Sequence, residues 1–111
     1  MILNTETSTG HINVRINLRT PSGAGIYVHY DGMMKVDEMA YAAVMGTEKA
    51  RTTRYGDHEL FATPIMETGD ENWKWIESAV WVAEGRFEVE EDGTVAIEYE
   101  VYKVNKSETQ A

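Results

Sequence analysis

The residues most able to do chemistry lie within residues 63–77. Glu67 ends a stretch that alternates like a strand and precedes a Thr-Gly-Asp turn, and Trp73 and Trp75 follow a few positions later. A carboxyl group in an apolar pocket can act as a general acid or base. We therefore predict Glu67 as a catalytic carboxylate close to the two tryptophans. The alternative is that Glu67 accepts backbone N–H bonds from the turn and fixes the shape of the loop.

A second set of polar residues lies on the first clearly alternating segment. Arg15 shares one face of this segment with Asn13, Asn17 and Arg19, opposite a face of isoleucine and valine. If the polar face lines a cavity, Arg15 can bind a carboxylate, enolate or phenolate; if that face meets solvent, Arg15 is an ordinary surface charge. Glu77 can pair with Arg15, act as a second acid–base group, or cap a short helical turn. Four strand tyrosines are most simply packing residues, and one can lend a hydroxyl to a pocket: Tyr27, Tyr30, Tyr99 and Tyr102.

The composition argues against several partners and sites. The chain has 111 residues, which suits one domain over residues 1–111, and a formal net charge of −9. Nucleic acids and anionic membranes attract clustered Lys and Arg, so neither is an expected partner. With no Cys and three His residues that are not spaced as a metal-binding pair, we expect neither a disulfide nor a metal site.

The hydrophobic pattern predicts a mainly β domain. From Ile12 to Arg19 apolar and polar residues alternate strictly, a turn follows at residues 21–23, and residues 26–30 return as the partner strand before Asp31-Gly32 closes it. Further strands are predicted at about residues 58–63, 79–90 and 94–104, with a hairpin turn at Asp92-Gly93.

The remaining segments are helical or irregular. Residues 36–46 contain the predicted helix, with Asp37 as its N-cap and Gly46 at its stop position. Residues 71–77 are expected to form a short helical turn, residues 47–56 a polar loop, and residues 105–111 a flexible tail.

Acidic residues concentrate on the last predicted hairpin, where Arg86 is the one basic residue among seven acidic ones. We interpret this hairpin as a solvated edge that resists strand-to-strand aggregation; cation binding is the alternative. The acidic residues are Glu84, Glu88, Glu90, Glu91, Asp92, Glu98 and Glu100.

Several short stretches occur in an order and spacing typical of one family. Residues 14–20 read Val-Arg-Ile-Asn-Leu-Arg-Thr, residues 64–77 contain Pro-Ile-Met-Glu-Thr-Gly followed by Trp-Lys-Trp-Ile-Glu, and residues 98–104 read Glu-Tyr-Glu-Val-Tyr-Lys-Val. Together they resemble the domain-of-unknown-function 3237 family, also called uncharacterised protein family 0311. The resemblance covers roughly residues 10–104.

This resemblance implies an antiparallel β-barrel-like fold with one short helix, and it implies no established reaction. Compared with the family, the chain begins almost directly at the Arg-containing strand, without the glycine-rich strands that usually precede it. This departure puts closure of the barrel by one chain in question. Glu77 stands where the family usually has Asn, and Phe61 or Ala62 stands where a basic residue is common. These two departures put a shared polar site in question.

Three functions fit the sequence. The first is a small-molecule-binding β-barrel that acts as a cofactor-free acid–base enzyme, of isomerase, cyclase or lyase type, on a small carbonyl or phenolic compound. The second is a non-catalytic ligand-binding protein that uses the same cavity, and the third is an assembly domain without a small-molecule site. The predicted site consists of Glu67 and Arg15 as catalytic residues and of Tyr27, Trp73, Trp75 and Glu77 as substrate-binding residues.

The expected partners are a small-molecule ligand and a second copy of the chain. A small open sheet exposes backbone groups and an apolar interior, and a homodimer would cover both. No cofactor is expected. The N-terminal residues do not resemble a signal peptide and no apolar run approaches the roughly 20 residues of a membrane helix, so we expect a cytoplasmic protein.

Overall fold

The computed structural model describes residues 1–107 and shows a mainly β protein. Its six strands are β1 (Ile2–Asn4), β2 (Thr9–Arg19), β3 (Gly25–Lys35), β4 (Leu60–Thr68), β5 (Trp81–Val89) and β6 (Val95–Lys103). Within these residues one α-helix, α1 (Glu38–Met45), joins β3 to β4, and a 3₁₀ helix (Glu71–Ser78) joins β4 to β5. Residues 108–111, the end of the predicted flexible tail, lie outside the described residues.

All six strands belong to one antiparallel sheet, in which they follow one another in chain order. This confirms the prediction of a mainly antiparallel β fold with one short helix. β1 and β6 form the two edges of the sheet as far as the structure describes it, so the sheet is not closed and the predicted barrel is not confirmed. β4 and β5 pair only through Phe61 and Ala62, so the sheet also opens between these two strands.

The sheet has an apolar and a polar face. On β3, Ile26 and Val28 are buried on the side that we call the inner face, and Tyr27 points to the opposite side, the outer face. Residues paired directly across neighbouring strands share a face. Asn17 and Glu67 are the partners of Tyr27 on β2 and β4, and they therefore lie on the outer face.

Two clusters of buried side chains hold the inner face together. The larger cluster joins α1 to the sheet and consists of Met34, Ala40, Ala43, Leu60 and Phe87. The smaller cluster forms where Ile76 of the 3₁₀ helix packs on Ile26 and Val28. Full burial of a large apolar side chain contributes about 1.5–3 kcal/mol. The two helices are therefore fixed on the inner face, and the outer face is left uncovered.

The predicted helix signals act as expected. The Asp37 carboxylate accepts a hydrogen bond from the Ala40 amide at 2.8 Å and caps the start of α1. Gly46 ends the helix with a φ of 64°, a left-handed conformation that glycine adopts without strain. The helix lies within the predicted range of residues 36–46, and the 3₁₀ helix matches the helical turn predicted at residues 71–77.

The polar segment that precedes β4 is irregular, as predicted, but it is anchored in the core. The Thr53 amide donates to the Phe87 carbonyl at 2.9 Å, and the Thr53 hydroxyl accepts from the Phe87 amide at 3.0 Å. The same hydroxyl is hydrogen-bonded to the buried His58 ring at 2.9 Å. These bonds attach the loop to β5, although Nδ1 of the His58 ring has no hydrogen-bond partner in the described residues.

Two predicted strand ends are wrong. β3 does not close at Asp31-Gly32 but continues to Lys35. A Cβ atom at Gly32 would lie 2.7 Å from the Phe61 carbonyl oxygen, so this glycine permits close approach of β4 and does not form a turn. β4 likewise continues through Pro64, which is tolerated because β4 has no ladder partner on its β5 side beyond Ala62 in the described sheet.

Candidate functional site

Three of the predicted site residues line one groove at the end of the sheet, where β2, β3 and β4 meet the 3₁₀ helix. The groove has a volume of about 950 Å³. Tyr27 and Glu67 project from the outer face along one side of it, and Glu77 lies on the 3₁₀ helix opposite them. Further polar side chains in its lining are Asn17, Arg19 and Lys74. We call this feature the outer groove.

The sheet register explains why Glu67 and Tyr27 meet. Asn17, Tyr27 and Glu67 are direct partners across β2, β3 and β4, so their side chains form one row on the same face. Tyr27 is 38% exposed and Glu67 is also exposed. The row is therefore in contact with solvent.

Glu77 closes the loop between β4 and the 3₁₀ helix. Its Oε2 atom accepts from the Thr68 amide at 2.9 Å and lies 3.1 Å from the Lys74 ammonium nitrogen. These two interactions lower the pKa of the Glu77 carboxyl below its usual value, with the Thr68 hydrogen bond as the larger cause. The partner of Glu77 is therefore Lys74. Glu77 also accepts a loop amide, which the sequence analysis had offered as the alternative role of Glu67.

Arg15, Trp73 and Trp75 do not line the outer groove. Arg15 lies on the same face as Glu67 but is paired with His29, two positions further along the strands, and is exposed. Trp73 packs against the buried cluster around Ile26. The Trp75 ring is stacked on the Trp73 ring at a centroid distance of 6.4 Å, and its side chain is 52% exposed. Both tryptophans are therefore involved in packing the 3₁₀ helix.

A second candidate site lies on the inner face. Here a partly open cavity of about 270 Å³ is lined by apolar side chains from β2 to β6 and by two tyrosines. Among the residues that the structure describes, no hydrogen-bonding group reaches the buried Tyr99 hydroxyl, although the Tyr30 and Tyr99 rings are in edge-to-face contact at 5.3 Å. Apolar members of the lining include Val28, Pro64 and Met66. We call this feature the inner cavity.

Burial fixes the protonation state of the Tyr99 hydroxyl. Desolvation raises the pKa of Tyr99 far above its ordinary value, and the nearby Tyr30 hydroxyl adds to this shift. The two hydroxyls are near each other, but they do not reach hydrogen-bonding geometry. Tyr99 therefore stays protonated and has an O–H donor to offer. A buried polar group without a partner costs about 1–3 kcal/mol, which a hydrogen-bond acceptor in the cavity would relieve.

Arg19 and Tyr99 were visible in the sequence, but neither was among the predicted site residues. Arg19 lines the outer groove, and its place two alternations beyond Arg15 on the same face was a usable signal. Tyr99 was recognised as a packing residue with a possible hydroxyl role. The Tyr99 hydroxyl lacks a partner because of the way β6 packs near Tyr30 of β3. No local sequence pattern predicts the distance between these two strands.

The described residues contain neither a metal-ligand cluster nor a helix that could span a membrane. No group of three or more His, Asp or Glu side chains within residues 1–107 is placed to hold a metal ion. In the same residues, no helix is both long enough and apolar enough to span a bilayer.

The fold and these two features define a small antiparallel β protein with an open, curved sheet. The family model described as "Protein of unknown function (DUF3237)" matches residues 1–104, and the chain belongs to this family. A solved structure of a protein with unknown function from Clostridium acetobutylicum ATCC 824 is similar in fold, with a TM-score of 0.64 at 20% identity. The match covers 89% of this chain and 60% of that chain, so this chain spans less than two thirds of the length of that protein. No curated protein matches the sequence.

Proposed function

We propose that the protein binds a small, largely apolar molecule in the inner cavity and that Tyr99 donates a hydrogen bond to it. The observation that carries this proposal is the buried hydroxyl of Tyr99, which has no hydrogen-bond partner in the described residues and belongs to a side chain that lines this mainly apolar cavity. Binding sites for small molecules are typically apolar cavities with a few polar groups that fix orientation. A carbonyl or ether oxygen on the ligand would supply the acceptor that Tyr99 lacks.

The inner cavity favours binding over acid–base catalysis. Its lining contains no carboxylate, imidazole or amine, and Tyr99 and Tyr30 are its polar side chains. The raised pKa of Tyr99 makes its hydroxyl a poor base at neutral pH. The cavity can therefore orient a ligand by one hydrogen bond and enclose it by apolar contact.

Removal of the Tyr99 hydroxyl is expected to erase selectivity for a carbonyl. We expect the wild-type protein to bind tetralone more tightly than tetralin, its analogue without the carbonyl, by roughly fivefold, which corresponds to about 1 kcal/mol for one buried hydrogen bond. Tyr99→Phe should bind the two compounds equally, because the donor is gone. Ligand-observed NMR titration measures both affinities.

The matched control is Tyr102→Phe, since Tyr102 lies on the outer face of the same strand and is 46% exposed. This variant should keep the wild-type preference. Tyr99→Phe should also be at least as stable as the wild type, because it removes an unpartnered polar group. An unchanged preference in Tyr99→Phe, or no binding of either compound to the wild type, would refute the proposal.

A second candidate function is acid–base chemistry in the outer groove. It is favoured by the row formed by Glu67, Tyr27 and Asn17, which lines the same groove as Lys74 and Glu77. In this function Glu67 exchanges a proton with a small carbonyl compound, and Arg15, with Arg19 nearer the groove, provides positive charge for the developing enolate.

Proton exchange next to a carbonyl tests this second function. If Glu67 is a general base, the protein should accelerate deuterium incorporation beside the carbonyl of tetralone in D₂O, and Glu67→Gln should return the rate to that of buffer. Because Glu67 is exposed, its replacement should leave the thermal midpoint nearly unchanged. Glu71→Gln, an exposed change at the start of the 3₁₀ helix, is the control and should keep the wild-type rate. Proton NMR follows the exchange, and an equal rate in Glu67→Gln would exclude this role.

We also propose that the protein works as a homodimer. A six-stranded sheet with two edges leaves backbone N–H and C=O groups without sheet partners, and such edges tend to pair with another chain. In a C2 dimer the same surface of both copies would be covered.

A further inference from the structure

The two edges of the sheet are open over similar lengths. β1 pairs only with Thr9–His11 of β2, so the following eight residues, 12–19, face no strand on that side within the described chain. β6 pairs with β5 along residues 95–103 and has no described strand on its other side. Neighbouring strands are antiparallel, so β2 and β6 run in the same direction.

The inner side of both edges is apolar and exposed. Ile16 and Leu18 on β2 are 38% and 44% exposed, and Ile97 and Val101 on β6 are each 44% exposed. All four side chains also line the inner cavity. The edges therefore border the candidate ligand site, and in one chain its rim consists of apolar groups in water.

The outer side of the two edges carries opposite charges. Arg15 and Arg19 project from β2. Glu100 projects from β6, and so does Glu98, whose carboxylate is already bound by Arg86 of the same chain at 2.8 Å. Pairing β2 with a second β2, or β6 with a second β6, would bring like charges together, which is destabilising. Pairing β2 with β6 brings Arg towards Glu on the outer face and apolar side chains together on the inner face.

The exposed surface of the chain is large enough for a stable interface. The accessible surface is 8189 Å². A folded monomer of 12.6 kDa is expected to expose only about 6,200 Å². The radius of gyration is 16.2 Å, compared with about 13 Å for a compact chain of this length. The excess of roughly 2,000 Å² exceeds the roughly 800 Å² per partner buried in standard interfaces.

We propose that a second copy of this chain closes the sheet. In this dimer, β2 of one protomer pairs in parallel with β6 of its partner. A two-fold axis along the strands repeats the contact at the other edge. One symmetry operation then covers both edges, and the sheet becomes a ring. In this assembly the partner completes the wall of the inner cavity. This last consequence rests on the proposed ligand-binding function, but the pairing itself does not.

Cysteine cross-linking tests which edges meet, and the natural chain has no Cys to interfere. Asn17→Cys places one thiol on the outer face of β2, and Glu100→Cys places one on the outer face of β6. With a short bismaleimide, a mixture of the two variants should form covalent dimers, and each variant alone should not. Cross-linking of either variant with itself would overturn the proposal, and so would a mixture without covalent dimers.

Charge reversal tests the same contact without a reagent. Light scattering of the wild type at low micromolar concentration should show a dimer, and a clean 12.6 kDa monomer would overturn the proposal. Arg15→Glu should raise the dimer dissociation constant about tenfold, because the axis repeats the change at both edges. Adding Glu100→Lys should restore the affinity. Arg51→Glu makes the same charge change in an exposed loop and should have little effect.

The outcomes separate this proposal from the ligand-binding function. A monomer that still prefers tetralone through Tyr99 would overturn the pairing and leave the function standing. A dimer with the expected cross-link that binds neither compound would support the pairing and refute the function. A dimer with the expected cross-link that keeps its Tyr99-dependent preference for tetralone would support both.

Discussion

Replacing Phe87 by alanine is expected to lower the free energy of unfolding by about 3–5 kcal/mol. Phe87 is 1% exposed and is a central member of the cluster that joins α1 to the sheet. Its ring also contacts the buried His58 ring edge-to-face at 4.9 Å. The deletion removes the burial energy of the ring and leaves a cavity that the rigid sheet on one side cannot fill.

The effect of Phe87→Ala should extend to the loop before β4. The Thr53 main chain and hydroxyl are hydrogen-bonded to the Phe87 backbone, and the same hydroxyl is hydrogen-bonded to His58. A loss of packing at Phe87 therefore loosens the anchor of this loop. Small domains have a total stability of about 5–15 kcal/mol, so the variant should be close to unfolding at room temperature.

The only other phenylalanine is the matched control. Phe61 is 46% exposed on the outer face, and Phe61→Ala should cost less than about 1 kcal/mol. Urea denaturation followed by circular dichroism measures both variants. Equal losses for the two changes would show that the larger cluster is not the main core of the fold.

The strand β2 was predictable from its alternation of apolar and polar residues. Strict alternation from Ile12 to Arg19 indicated both the strand and its apolar face, and the structure confirms the two. The helix was predictable from Asp37 and Gly46, because cap residues act locally. Gly32 was misinterpreted, because a glycine that permits close contact with a neighbouring strand has the same local sequence signature as one in a turn.

The sites were predictable only in part, for a related reason. Tyr27 and Glu67 share a groove because strand alternation and pairing fix their face, and the segment from residue 63 to 77 brings Glu77 back towards them. Whether Arg15 reaches that groove depends on the register between β2 and β4 through β3, which the sequence of one strand does not specify. Tyr99 gains its role from the packing of distant strands, so its unpartnered hydroxyl could not be inferred from alternation.

Whether the sheet closes into a barrel could not be predicted from local sequence patterns. Period-two alternation identifies strands and faces, but it is the same in an open sheet and in a barrel. The resemblance to the family predicted a barrel, and the described residues form a sheet with edges at β1 and β6. The charges on β2 and β6 were visible in the sequence. That they could pair with each other became apparent only because the structure shows both strands at open edges of the sheet.

A methyl group at Gly85 is expected to destabilise the protein by about 1–3 kcal/mol. A Cβ atom there would lie 2.6 Å from Leu60 Cδ2 and 3.0 Å from Tyr99 Cε1. Leu60 is completely buried, so it cannot move aside without disturbing the larger cluster. The displacement of Tyr99 should also weaken tetralone binding, because it shifts the hydroxyl in the inner cavity.

Gly25→Ala is the control for Gly85→Ala, because both glycines lie in strands, neither has a positive φ, and no atom lies within 4 Å of a Cβ at Gly25. It should be neutral or stabilising by up to about 1 kcal/mol.

A double-mutant cycle with Leu60→Ala tests whether overlap with Leu60 causes the loss of stability in Gly85→Ala. If overlap with Leu60 explains the loss of stability, Gly85→Ala should destabilise the Leu60→Ala protein much less than it destabilises the wild type. The added methyl group would then fill part of the cavity that the shortened Leu60 side chain leaves. Thermal unfolding of the four proteins gives the coupling energy, and equal losses in both backgrounds would mean that the cost of the methyl group does not come from this contact.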